Sequence, residues 1–291
     1  MIIGKRFLKR LRAFIAKPLV VVQTKAIVLD ERELCNNPIF LVGVHRSGTS
    51  LVRRMFNSHP NIACPPETFF LRKYCELYKD ELTYPGFRGF GWTREDMRLH
   101  IARQASELHE AFRMAHGKTR WADKTPQHTE CLEELCQLFG AGARFVLIFR
   151  DPRDVAFSIY ERKWRFNETD ASNNGMDLLD DTIQYVSCRM RLMINFQKRH
   201  PDRTTNLSYE NVVQHPQVEL GRALKFLGEK FSEAMLTFNS GQHNLGVEDP
   251  IVRGTSQLRL SGGYWKNISV DERVRIETRL GPLAEELGYT V

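Results

Sequence analysis

The stretch PIFLVGVHRSGTS, residues 38–50, decides the fold of this chain of 291 residues. Its first half, residues 39–44, is a short apolar run typical of a buried parallel strand. Small and hydroxyl side chains follow, and a helical pattern begins at residue 49. A strand that leads through such a turn into a helix directs backbone N–H groups and the helix N-terminus toward an anion. The sequence therefore predicts an anion-binding loop.

This loop matches the G-x-x-x-x-G part of a Walker A motif, from Gly43 to Gly48, but not its lysine. Thr49 occupies the position where a nucleotide triphosphatase has Lys, and the cation is Arg46 instead. Because that lysine holds the β- and γ-phosphates, ATP chemistry fits poorly. A P-loop kinase with Asp151 on Mg²⁺ is kept as the alternative. The candidate anion ligands are His45, Arg46, Ser47, Gly48, Thr49 and Ser50.

A second anion site is predicted where another apolar strand, residues 144–149, ends at Arg150. Ligands of open α/β sheets bind at the carboxyl ends of the strands. Asp151 and Pro152 are typical of the N-cap and first residue of a helix, which places Ser158 two turns into that helix. A guanidinium and a hydroxyl both donate well to a phosphate.

Apolar strands alternate with helical patterns along the chain. This order predicts an α/β protein with a three-layer, P-loop-like fold, in which helices flank a central parallel sheet. Residues 38–291 are expected to form this domain, and residues 81–92 to form a loop. The predicted strands are residues 39–44, 120–122, 144–149 and 204–208. The predicted helices are residues 49–58, 93–116, 128–139, 178–199, 209–227 and 271–287, with another that begins at residue 152.

The net charge of +7 comes entirely from the N-terminal segment. Seven bases precede Asp30, and the remaining 35 bases balance the 35 acids, so no nucleic-acid partner is expected. No apolar run approaches the roughly 18 residues that span a bilayer. Residues 1–37 are predicted to be a basic amphipathic segment. Residues 1–17 fit peripheral contact with an anionic membrane, and docking on the domain itself is the alternative.

Six cysteines are present, without a C-x-x-C pair and without histidines at zinc-ligand spacing. This pattern predicts buried free thiols, a cytoplasmic location and no metal. A noncatalytic alternative is kept as well: a membrane-associated module in which the basic N-terminal helix carries the function and the nucleotide site is vestigial.

Taken together, the two anion motifs resemble sulfotransferases that use 3′-phosphoadenosine 5′-phosphosulfate (PAPS). The resemblance covers about residues 38–288. Within the family, the chain is more similar to the bacterial and Golgi-type branch, which has a glutamate base, than to the cytosolic branch with a histidine base. It implies PAPS as donor, 3′,5′-ADP as product, no metal, and an acceptor hydroxyl on a sugar, a tyrosine, a lipid or a small alcohol. Four further segments carry it: PETFF (66–70), DKTP (123–126), LSYE (207–210) and SGGYWK (261–266).

The resemblance also implies roles for single residues. Glu67 would be the general base, and Lys124 and Arg46 would neutralise charge on the sulfuryl group. His45 stands where the family usually has proline, and His45 and His128 are reserve bases.

On the nucleotide, Arg150 and Ser158 would hold the 3′-phosphate. Tyr209 and Trp265 would contact the purine, unless they are ordinary core residues. Two further phosphate ligands are implied, Arg259 and Lys266.

Overall fold

The computed structural model describes residues 37–166, 177–239 and 262–289, together with positions 246, 252, 254 and 258. Within these residues, five strands form one parallel sheet in the order β2-β3-β1-β4-β5. The central strand pairs with a neighbour on each side, so the carboxyl ends of three strands meet beside the predicted anion loop. The strands are β1 Ile39–Gly43, β2 Ile62–Ala63, β3 Arg120–Lys124, β4 Arg144–Phe149 and β5 Thr204–Ser208.

Helices cover both faces of this sheet, as the alternating pattern predicts. Along β1, Phe40 and Val42 point into one core layer and Ile39 and Leu41 into the other, so both faces are buried. The three-layer α/β fold is thereby confirmed. The helices are α1 Thr49–Ser58, α2 Phe70–Lys79, α3 Thr83–Gly89, α4 Arg94–Ala115, α5 Leu132–Leu138, α6 Pro152–Tyr160, α7 Leu178–Arg199, α8 Tyr209–Gln214, α9 Pro216–Leu227 and α10 Val270–Glu286.

Two helix starts follow directly from local chemistry. Asp151 caps α6 by accepting a hydrogen bond from the backbone N–H of Arg153, with Pro152 as the first helical residue. Thr93 and Asp96 form a reciprocal capping box at the start of α4. The first of these caps fixes the direction in which α6 leaves β4, and so the position of Ser158.

The prediction of a loop over residues 81–92 is wrong, because α3 lies within it. Just before this helix, Asp80 accepts a hydrogen bond from the N–H of Leu82, and within the segment Phe87 stacks on Trp92 at 5.4 Å between ring centroids. These aromatic contacts outweigh the low helix propensity of its two glycines.

The helix predicted over residues 128–139 is shorter than expected. Pro126–Glu130 forms a 3-10 turn, and α5 begins only at Leu132. Cys131, which joins them, has extended φ near −136°, so the α-helix cannot run through it. The turn directs the ring of His128 inward, onto Asp123.

The cysteine prediction holds at four of the five described positions: Cys64, Cys75, Cys131 and Cys136 are buried free thiols. Cys188 corrects it, because it lies on the solvent-facing side of α7 and is exposed. In the part of the chain that the structure describes, no helix is long and apolar enough to cross a membrane. The predictions for residues 1–17 and for Arg259 lie outside the described residues.

Candidate functional site

The loop between β1 and α1 has the backbone of an anion cradle. Arg46 and Gly48 both adopt left-handed φ, at 70° and 81°. Gly48 is the N-cap of α1, and no side chain caps the helix or places an acid in its first turn. A Cβ at Gly48 would lie 2.2 Å from Cδ2 of Tyr209, so only glycine fits. An uncapped, acid-free helix N-terminus is suited to a bound anion.

The hydroxyl oxygen of Ser47, in this loop, is buried without a hydrogen-bond partner among the described residues. The residue as a whole is fully buried. Buried hydroxyls are nearly always bonded, so an orphan one points to an absent ligand. Thr49 and Ser50, which follow, are also buried. The loop therefore fits the oxygens of a bound phosphate or sulfate.

The two predicted anion sites meet. Nε of Arg46 donates to Oγ of Ser158 at 3.2 Å, and Nη1 of Arg150 donates to the carbonyl of Arg46 at 2.9 Å. Motifs more than 100 residues apart in sequence thus line one cavity of about 620 Å³. Its lining includes Arg46, Arg150, Asp154, Ser158, Arg162 and Tyr264.

Arg162 is a cation of this cavity that the sequence analysis missed. Its Nη1 donates to Oγ of Ser158 at 3.0 Å. The available signal was its spacing: a residue four positions after Ser158 lies one helical turn away, on the same face. Three guanidinium groups therefore surround the Ser158 hydroxyl and the cavity beside it.

Tyr209 connects the two halves of the site. It is the first residue of α8 and 8% exposed, and burial raises the pKa of its phenol. Its ring packs against Gly48, and the guanidinium of Arg150 lies 4.8 Å from its centroid. At cation–π distance, this ring positions Arg150.

The glycine-rich C-terminal loop is tied to α6 through Asp154. Oδ2 of Asp154 accepts a hydrogen bond from the N–H of Gly263 at 2.9 Å, and burial raises the pKa of its carboxyl. Trp265 is 3% exposed and packs 4.8 Å from the guanidinium of Arg153, as an ordinary core residue does. Lys266 is exposed.

Glu67 and Lys124 form an ion pair at the carboxyl edge of the sheet. Lys124 ends β3 beside Leu41 of β1, and only 1% of it is exposed. Its Nζ donates to Oε1 of Glu67 at 2.5 Å. The structure thus brings together the predicted base and the predicted cation, although they are 57 residues apart.

His45 lies close to this pair. Burial, together with the charges of Lys124, Arg189 and Arg46, lowers the pKa of His45 to about 3, so the ring is neutral at pH 7. Its Nδ1 is 2.6 Å from the hydroxyl of Tyr185, and Phe166 packs 4.7 Å from its centroid. A pKa this low makes the ring a weak proton acceptor at pH 7, so His45 stays only a reserve base.

Two sequence alternatives lose support from the geometry. His128 is fully buried, and its Nε2 is bonded to the carboxylate of Asp123. Asp151, the magnesium ligand of the kinase reading, is held in an ion pair with Arg153 at 2.8 Å. In the described part of the chain, no group of three or more His, Cys, Asp or Glu side chains is arranged to hold a metal ion.

Comparison with known proteins finds related sequences. The chain is 29% identical over 211 residues to a protein-tyrosine sulfotransferase of Drosophila melanogaster, covering 68% of this chain and 39% of that protein. It is 26% identical over 280 residues to the nodulation protein NoeE of Sinorhizobium fredii, covering 87% and 62%. The chain spans about half the length of most of the curated relatives it matches.

Solved structures share the fold. The sulfotransferase domain of the Synechococcus PCC 7002 olefin synthase superposes with a TM-score of 0.62 at 19% identity, covering 92% of this chain and all of that domain. The sulfotransferase domain of the curacin biosynthetic pathway gives 0.61 at 20% identity, covering 86% and 98%. The model of the Sulfotransferase family matches residues 38–233, so the chain belongs to this family.

Proposed function

We propose that this protein transfers a sulfuryl group from PAPS to a hydroxyl-bearing acceptor. The observation that carries the proposal is the Arg46–Ser158 hydrogen bond, which joins the anion loop to a second anion site. A nucleotide with anionic groups at both its 5′ and 3′ positions can occupy both sites at once. PAPS has this pattern and ATP lacks the 3′-phosphate.

The 5′-phosphosulfate is proposed to lie in the loop at the N-terminus of α1. Backbone N–H groups, the Ser47 hydroxyl and Arg46 would bind its oxygens. Sulfuryl transfer resembles phosphoryl transfer, an in-line displacement through a loose transition state in which fixed cations stabilise the charge. Lys124 is proposed as such a cation, and its position at the end of the strand beside β1 supports this role.

Glu67 is the proposed general base. As the acceptor oxygen bonds to sulfur, the bond from sulfur to the bridging phosphate oxygen breaks, and the acceptor proton passes to the Glu67 carboxylate. The ion pair with Lys124 supports this assignment, because it holds base and cation at contact distance. Movement of Lys124 toward the bridging oxygen would release the carboxylate to the acceptor hydroxyl.

The acceptor is proposed only as a hydroxyl compound, with sugars, tyrosines, lipids and small alcohols all included. Several relatives are protein-tyrosine sulfotransferases by name. The aromatic side chains Trp164 and Phe166, beside His45, favour an acceptor with a ring. Labelled PAPS, offered with one phenol, one monosaccharide and one alkanol, identifies the class.

Nucleotide selectivity tests the proposed donor. We expect 3′,5′-ADP to bind about 10- to 150-fold more tightly than 5′-AMP, since one charge-assisted contact contributes about 1.5–3 kcal/mol. Isothermal titration calorimetry on the full chain measures both affinities. Equal affinities would contradict the 3′-phosphate site, and tighter binding of ATP with Mg²⁺ would favour the kinase.

Residues 1–17 are proposed to promote contact with anionic membranes, which fits a cytoplasmic protein at the membrane periphery. Each base near such a surface contributes about 1 kcal/mol. We expect deletion of residues 1–17 to reduce sedimentation with phosphatidylserine vesicles while leaving the affinity for 3′,5′-ADP unchanged. Equal sedimentation of the two proteins would favour docking of this segment on the domain.

A further inference from the structure

A buried polar cluster lies directly behind the Glu67–Lys124 pair. Its centre is Asp123 of β3, which is fully buried. Both carboxylate oxygens accept two hydrogen bonds each, so the group uses its whole acceptor capacity. The donors are Oγ1 of Thr68 at 2.6 Å, Nε2 of His109 at 2.7 Å, Oγ1 of Thr125 at 3.0 Å, and Nε2 of His128.

The cluster is one residue away from each member of the pair. Thr68 directly follows Glu67, and Asp123 directly precedes Lys124. A second link strengthens the first, because the N–H of Thr68 donates to Oγ1 of Thr125 at 3.1 Å. Two hydrogen bonds therefore fasten the segment that carries Glu67 to the strand end that carries Lys124.

The segment held in this way is strained. Phe69, directly after Thr68, adopts left-handed φ at 57°, which is rare for a bulky side chain. Its own side chain is 41% exposed. Such strain persists only where neighbouring contacts enforce it, and the bonds from Thr68 to Asp123 and Thr125 provide that constraint.

We propose that Asp123 and Thr68 are positioning residues for the transfer reaction, and that their hydrogen bond sets the Glu67 carboxylate against the Lys124 ammonium. This inference rests on the proposed function. Neither residue contacts the reacting atoms, so both act through their sequence neighbours.

The charge state of the cluster is consistent with this role. Burial opposes ionisation of Asp123, yet the imidazoles of His128 and His109 hold its pKa well below the ordinary range. Burial likewise opposes the charge on His128, but Asp123 raises the pKa of this imidazole to about 9. Asp123 thus accepts all four hydrogen bonds throughout the physiological pH range.

Thr68→Val removes the hydroxyl and keeps the shape. We expect kcat to fall by about 10- to 100-fold, since a misplacement of about 1 Å in a reacting group has effects of this size. The dissociation constant of 3′,5′-ADP should stay within about twofold of the wild-type value, because the nucleotide ligands lie on other elements. Thr68→Ser keeps the hydroxyl and should restore most of the lost kcat.

The matched control is Thr204→Val. Thr68 is half-buried and Thr204 is buried. Oγ1 of Thr204 also donates a short hydrogen bond, to the carbonyl of His200 at 2.8 Å, but Thr204 begins β5, at the opposite edge of the sheet from β2 and β3. This variant should lose stability in urea, as Thr68→Val does, and keep kcat. Consumption of labelled PAPS with the preferred acceptor of the wild type measures turnover.

Any one of three results would overturn this inference without affecting the proposed function. They are an unchanged kcat in Thr68→Val, equal losses of kcat and of affinity for 3′,5′-ADP in Thr68→Val, or no recovery of kcat in Thr68→Ser. A wild-type chain that neither binds 3′,5′-ADP nor consumes PAPS would instead overturn the proposed function, and this inference with it.

Discussion

Replacement of Glu67 by Gln is expected to lower kcat by roughly 10²- to 10⁴-fold, the usual range for one acid–base group. Glutamine keeps the size and the hydrogen-bond acceptor toward Lys124, but it cannot take up the acceptor proton at neutral pH. The affinity for 3′,5′-ADP should barely change, because Glu67 lies outside the cavity that Arg150 and Ser158 line. Turnover of labelled PAPS and calorimetry, on the same preparation, separate the two effects.

Glu76→Gln is the matched control for this variant. Glu76 is paired with Lys73 at 2.8 Å and with Arg72 at 3.0 Å on the exposed surface of α2, so this variant makes the same chemical change in an ion-paired glutamate outside the site. His45→Ala tests the other base. If Glu67→Gln retains near-full turnover while His45→Ala abolishes it without weakening nucleotide binding, His45 is the base and the glutamate assignment is wrong.

Arg150→Ala is expected to remove most of the preference for 3′,5′-ADP over 5′-AMP. The variant loses a charge-assisted contact with the 3′-phosphate, about 1.5–3 kcal/mol or roughly 10- to 150-fold in affinity. It also removes the hydrogen bond to the Arg46 carbonyl, so binding of 5′-AMP should weaken to a smaller degree. Calorimetric titration of both nucleotides measures the change in their ratio.

Arg144→Ala provides the control for this experiment. Arg144 begins the strand that Arg150 follows, and its guanidinium donates to the carbonyl of Ala141 at 2.8 Å, at the far end of β4. Its loss should leave the affinity ratio unchanged. A ratio that survives in Arg150→Ala would mean that the 3′-phosphate lies elsewhere.

The architecture could be predicted because apolar strands such as residues 144–149 are buried on both faces and therefore lack polar interruptions. The N-terminus of α6 could be predicted as well, since Asp151 and Pro152 act through local chemistry. The short helix α3 could not, because its aromatic side chains pack against α4, as in the contact of Phe87 with His100 at 5.9 Å between ring centroids, and this packing depends on the fold.

Most residues of the site could be predicted from motifs, but the hydrogen bonds between them could not. Arg46 and Ser158 stood out by motif, whereas their mutual hydrogen bond requires the fold. Arg162 lies in no motif, and only its spacing of four residues from Ser158 indicated that it would line the same cavity. The cluster around Asp123 was not predictable either, because two of its donors, Thr68 and His109, come from other segments that only the fold brings to this carboxylate.

The link between Arg150 and the carbonyl of Arg46 has a consequence for inhibitor design. The guanidinium of Arg150 lines one end of the cavity and also donates a hydrogen bond to the anion loop at the other end. Fragments that fill the two ends are therefore expected to bind cooperatively, because the first one immobilises a side chain that the second one needs. A screen of single fragments would then underestimate the affinity that each fragment has in the presence of the other. A compound that spans both ends of the cavity should bind more tightly than the sum of the two separate binding free energies predicts.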